Sequence, residues 1–153
     1  MSKLKTFKGK IPIGVQEKIS LSTNDGLTAY RIVRFDIMSS TPGVGEVEYV
    51  AKIYTTDQSG NETTSVDFSD TDLIAVNYYQ DNPAAAYPAA TTIIQDKETF
   101  NQDIFIYIMD AEGGSIPGNF YIELEQFSID ANTSTYHTLK NIRSLTGPGF
   151  VFL

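Results

Sequence analysis

Period-two alternation of apolar and polar residues runs through most of this chain, the pattern of strands buried on one face. Across Tyr30 to Met38, Val33, Phe35 and Ile37 fall on one side and Arg34 and Asp36 on the other. Across Glu46 to Tyr54, Val47, Tyr49, Ala51 and Ile53 oppose Glu46, Glu48 and Lys52. From Phe120 to Glu125, Phe120, Ile122 and Leu124 oppose Tyr121, Glu123 and Glu125. The phase slips at Gln126, because Phe127 and Ile129 land on what had been the polar face, and a bulge or a crossing between sheets there would return both to the core. Leu73 to Tyr79 and Ile104 to Met109 are apolar on both faces, which predicts central strands covered on each side or strands whose outer face meets another subunit. Gln16 to Leu21 and Thr91 to Ile94 are weaker strands.

Turn chemistry separates these runs. Asn24-Asp25-Gly26 is a hairpin signal, and Thr41-Pro42-Gly43, Ser59-Gly60-Asn61, Glu112-Gly113-Gly114 and Pro117-Gly118 mark further turns. Residues 81–90 carry Pro83 and Pro88 around small residues, so an extended surface loop is expected, with Tyr87 as a contact residue. One helix is predicted over 133–146. Asn132, Thr133 or Ser134 caps it, Tyr136, Leu139, Ile142 and Leu145 form its apolar stripe, Lys140 and Arg143 suit its C-terminal end, and Gly147-Pro148 stops it.

Seven or eight strands followed by one helix predict a mainly β protein: a two-sheet antiparallel β-sandwich, jelly-roll or immunoglobulin-like, with one short C-terminal α-helix. The 153 residues suit one such domain, 41% hydrophobic and without cysteine, so neither disulfide nor thiolate chemistry enters. The expected organisation is a basic N-terminal arm over 1–12, the sandwich over 13–146, and an apolar tail over 147–153.

Charge changes the picture at the ends. Between Asp57 and Asp130 stand fourteen carboxylates and one base, Lys97, whereas the first ten residues hold Lys3, Lys5, Lys8 and Lys10. Formal net charge is −8, and without those four lysines the remainder carries −12. Such a body repels nucleic acid and anionic membrane. The N-terminus lacks the apolar run of a secretory signal, and no stretch reaches the roughly eighteen apolar residues of a membrane span.

Reaction chemistry finds no motif. The one histidine, His137, would need Ser128, Ser134 or Asp130 as partners, and no Gly-x-Ser-x-Gly elbow presents a nucleophile. One His and no Cys leave no tetrahedral zinc set. Asp57, Asp67, Asp70 and Asp72 offer oxygen ligands for calcium, but neither acidic stretch fits the EF-hand template, and solvated loops are the plainer reading. Tyr78, Tyr79, Tyr87 and Tyr121 are the rings available for sugar stacking in a chain without tryptophan. No cofactor is expected, and no enzyme activity.

The last residues, Gly147-Pro148-Gly149-Phe150-Val151-Phe152-Leu153, place four apolar side chains after a hinge, so the tail is expected to dock on its own sheet or on a neighbour. The segment Phe120-Tyr121-Ile122-Glu123-Leu124-Glu125, followed by Thr138-Leu139-Lys140-Asn141-Ile142-Arg143, resembles the ends of small virion structural proteins of tailed bacteriophages, especially marine phages. The resemblance implies a capsid decoration (cement) protein or a tail or neck component, located in the virion. The expected partners are capsid or tail subunits and copies of the chain itself, in a homo-oligomer, with no nucleic acid and no membrane. The contacting residues would be Lys3, Lys5, Lys8, Lys10, Tyr87, Phe150, Val151, Phe152 and Leu153. The alternative is a carbohydrate-binding or adhesion module, with or without calcium.

Overall fold

In a computed structural model, which describes residues 3–81, 90–95 and 97–146 with side-chain detail through Lys140, the chain forms eight strands and a helix. In order these are β1 (Lys3–Ile11), β2 (Glu17–Ile19), β3 (Thr28–Ser39), β4 (Val47–Tyr54), β5 (Leu73–Asp81), β6 (Ala90–Ile94), β7 (Ile104–Asp110), β8 (Gly118–Ser128) and α1 (Ala131–Thr146). They make a three-stranded antiparallel sheet, β1-β8-β3, and a five-stranded one, β2-β7-β4-β5-β6. Pairing nests from the outside inward: β1 with β8, β2 with β7, β4 with β5, and β3 lying alongside β6. The first two pairs and β4 with β5 nest as in a jelly roll, whereas β6 departs from that plan by pairing with β5 in the large sheet.

Alternation builds the core. Ile32, Phe35, Ile37, Phe120, Ile122 and Leu124 of the small sheet face Tyr49, Ala51, Ile53, Ile104, Ile106 and Ile108 of the large one, all buried. At the start of β8, Gly118 lies against the large sheet with no room for a side chain: a Cβ there would stand 2.6 Å from Ile108 Cδ1.

The phase slip lies in β3 and not at Gln126. Ile32 pairs with Leu124 and Arg34 with Glu123, so Val33 is an extra, unpaired residue. It is exposed, whereas Ile32 and Phe35 on either side of it are buried. The bulge therefore lets two residues three apart face the same core. Strand β8 runs on through Gln126 and Phe127 without interruption, opposite Tyr30 and Ala29.

The Asn24-Asp25-Gly26 turn forms, with Gly26 at φ +65° and its amide bonded to the Thr23 carbonyl, but it does not close a hairpin. Its two strands belong to different sheets, so it is a corner between layers. The residues read as a basic arm, 1–12, are mostly sheet: Lys3–Ile11 pairs with β8 along its full length.

The helix starts earlier than predicted. Asp130 is the cap, its Oδ1 accepting from the Thr133 amide at 2.7 Å, and α1 begins at Ala131. Its orientation is also reversed from expectation. Tyr136 and Leu139, the first half of the predicted apolar stripe, are exposed. Ser134, His137 and Lys140 face the β6–β7 connection, bonding to Asn101, Thr99 and Glu98. Among the side chains described, polar bonds to this connection hold the helix.

Candidate functional site: an open basic edge and an acidic strap

Strand β1 borders the small sheet. One side pairs with β8, and the other pairs with no strand among the described residues. The opposite border, β3, is closed: Asn77 Nδ2 and Thr92 Oγ1, from the other sheet, donate to the Phe35 carbonyl at 3.0 and 3.4 Å, and Tyr30 and Phe100 exchange backbone hydrogen bonds. Among the described residues, the sandwich is thus sealed along one side and open along the other.

The four lysines do not form one patch, because period two divides them. Lys3 and Lys5 lie opposite Gln126 and Leu124, on the core-facing side, and Lys5 Nζ covers the rings of Phe7 and Tyr30 at 5.8 and 6.0 Å. Lys8 and Lys10 lie opposite Tyr121 and Asn119, on the outer side, exposed and without an ion pair among the described residues. Leu4 shares that outer side and is 69% exposed. Inward along the same face, the charges are already matched: Arg31 pairs with Glu125, and Arg34 with Asp36 and Glu123. Tyr87, Phe150, Val151, Phe152 and Leu153 lie outside the described residues.

The outer face of the five-stranded sheet carries a second feature, which the sequence did not announce. Tyr54, Leu73, Val76 and Tyr107 form a separate buried cluster there, covered by the connection between β4 and β5, residues 55–72, hereafter the strap. Lys52, 1% exposed, sits beneath it. Its ammonium lies 5.9 and 5.2 Å from the ring centres of Tyr54 and Tyr107 and donates to Thr63 Oγ1 and the Ser65 carbonyl. Two rings and two oxygens take the place of a counter-ion. The two tyrosines stack at 5.9 Å, and burial raises the Tyr54 hydroxyl far above its ordinary range. Alternation put Lys52 on a polar face, and only the strap's path makes that face an interior.

The strap holds Asp57, Glu62, Asp67, Asp70 and Asp72 and no cation. These are the sequence's calcium candidates, and they do not converge: no group of three is placed to hold a metal ion among the described residues. Each instead serves local structure. The Ser69 hydroxyl and amide hold the Asp67 carboxyl below its usual range, the Ser59 amide does the same for Asp57, Asp70 accepts from the Asp72 amide, and Asp72 from Thr56. Between the carboxylates, Val66 and Phe68 stand 42% and 58% exposed.

Three of the four tyrosines in the sugar-stacking set, Tyr78, Tyr79 and Tyr121, have partners within the chain. Tyr79 stacks on Tyr49, and the hydroxyls of Tyr78 and Tyr121 donate to Glu48 and Glu123. A polar cleft of about 370 Å³ does open between the 22–26 corner and α1, lined among others by Ser22, Asn24, Asp25, Asn101, Gln102 and Ser134. His137 faces Thr99 Oγ1 at 3.0 Å, where burial lowers its pKa.

No protein-family model, no curated protein and no solved structure matches this chain.

Proposed function

We propose that the protein is a non-enzymatic structural component of a tailed-bacteriophage virion, a decoration or cement subunit, that docks on neighbouring subunits through the open edge of β1. The observation that carries this reading is the nine-residue border strand, regular along its length and bearing Lys3, Lys5, Lys8 and Lys10. An unpaired strand edge offers a row of backbone donors and acceptors to an incoming segment, and lysines along it restrict which segment is accepted. The partner surface is therefore acidic, with charge steering the encounter and apolar contact at Leu4 adding to it. Jelly rolls serve both as capsid proteins and as lectins, so the fold is compatible with this role without selecting it.

The test is co-expression with the capsid, and separately the tail, subunits encoded by neighbouring reading frames, followed by density-gradient fractionation. The wild type is expected to sediment with one of the two, and a folded Lys8→Glu/Lys10→Glu variant to remain in the soluble fraction. Co-sedimentation with neither set, or undiminished incorporation of the variant, overturns the reading.

The polar cleft favours a second reading, a carbohydrate-binding module, since clustered amides and hydroxyls suit a saccharide. A glycan array probed with the monomer, against an Asn24→Ala/Asp25→Ala control, tests it; no saturable binding removes it.

A further inference from the structure

Resting on the assembly reading above, we infer that the acidic surface received by β1 is the strap of a second copy of this chain, in a head-to-tail contact. The two surfaces are complementary in sign and separate in place. Strand β1 carries four lysines and no acid, and the strap carries five acids and no base. Neither Lys8 nor Lys10, nor any strap carboxylate, forms an ion pair among the described residues, so the local hydrogen bonds of the strap leave its charge unneutralised. Both surfaces also expose apolar groups: Leu4 at 69% on the strand, Val66 and Phe68 at 42% and 58% on the strap. An aliphatic side chain against a ring between matched charges is the composition of a small specific contact.

The competing self-contacts are poorer. Joining β1 to β1 across a two-fold axis would set lysine against lysine, which is destabilising for directly opposed like charges. The other border strands offer little charge to pair: β6 is Ala-Thr-Thr-Ile-Ile, and β2 is only three residues long. A contact between two different surfaces of one chain does not close on itself as a dimer. It propagates, making a ring when the rotation closes and a filament when it does not. A subunit of a shell or tube needs that property.

The chain contains no cysteine, so introduced thiols report a contact without background. Lys8→Cys and Phe68→Cys proteins, each confirmed folded by circular dichroism, are mixed at low salt under mild oxidation. The expected product is a disulfide-linked pair of one chain of each kind, with about tenfold less at high salt, where exposed charges are screened. A linked product from Lys8→Cys alone identifies β1 meeting β1 and overturns the inference. Absence of the mixed product, with the wild type monomeric by light scattering, overturns it as well. In that case, co-sedimentation with capsid or tail subunits still decides the assembly reading separately.

Discussion

The side-chain amide of Asn77, in the middle of β5, donates to the backbone carbonyl of Phe35 on β3 at 3.0 Å and ties the two sheets together at one border. Asn77 is 4% exposed, and its own carbonyl oxygen has no partner among the described residues. Its amide nitrogen also donates to Thr92 Oγ1 at 2.8 Å, so both bonds of the amide are made at this border. Asn77→Ala is expected to lower stability by about 1–3 kcal/mol, since Phe35 keeps only the longer bond from Thr92. Asn77→Asp is expected to cost more, because a carboxylate oxygen would face a carbonyl. Urea denaturation of the two variants checks the order, and a milder loss for Asp would remove the donor role.

Lys52 fixes the strap. Lys52→Ala removes both its bonds and its stem, and a loss of about 2–5 kcal/mol is expected from the cavity and the stranded oxygens. Lys52→Met retains the stem and should cost less in global stability. Both variants should release the strap, read as faster chymotryptic cleavage at Phe68 under native conditions. Unchanged cleavage in Lys52→Met would mean that packing alone holds the strap.

Val33 is the extra residue of β3. Deleting it would remove the bulge and leave Ile32, Phe35 and Ile37 in simple alternation opposite Leu124, Ile122 and Phe120, so the buried face of the strand is kept. The expected loss is about 1–2 kcal/mol, the range of an ordinary point change, and a loss of the folded state would mean that the bulge is needed for the curvature of the strand. Val33→Thr, which retains the count, should be nearly neutral, and thermal melts of the two compare residue number with residue type.

His137 makes helix docking depend on pH. Burial lowers its pKa in the folded state, so the folded protein binds fewer protons there than the unfolded chain does. Its contribution is complete above the unfolded value of about 6.5 and declines as pH falls through that value toward the lower folded one. The groups around it are Thr99, the Glu98–Lys140 ion pair and Asp103, which pairs with Lys18. Amide exchange in α1 is expected to accelerate between pH 7 and 5 in the wild type and not in His137→Gln. Equal acceleration in both would place the sensitivity elsewhere.

Much of the architecture was legible because alternation is local. Phe120, Ile122 and Leu124, or Val47, Tyr49, Ala51 and Ile53, declare a buried face without reference to any other strand. What was not legible depended on partners distant in sequence. Tyr30 and Ile32 lie in phase with Phe35 only across a bulge, and nothing local to β3 marks Val33 as the extra residue. The Asp25-Gly26 turn looks the same whether it joins neighbours in one sheet or turns a corner between two. Lys52 reads as a solvent-facing lysine until the strap's path is known. Tyr136 and Leu139 have the spacing of a docking stripe, yet Ser134, His137 and Lys140 found the better partners. For the interface, the lysines were visible, but their division into two faces followed only from the register of β1 on β8.

That register has a consequence for the order of events during synthesis. Strand β8 is the middle strand of the small sheet, and among the described residues it is the last strand in chain order. Until it leaves the ribosome, neither β1 nor β3 has a neighbour in that layer, and Lys3 must wait for Gln126. Pairings between such remote residues slow folding. The nascent chain therefore carries its cationic β1 unsheltered until β8 has been made, and lysines along an unpaired edge discourage premature pairing with another chain.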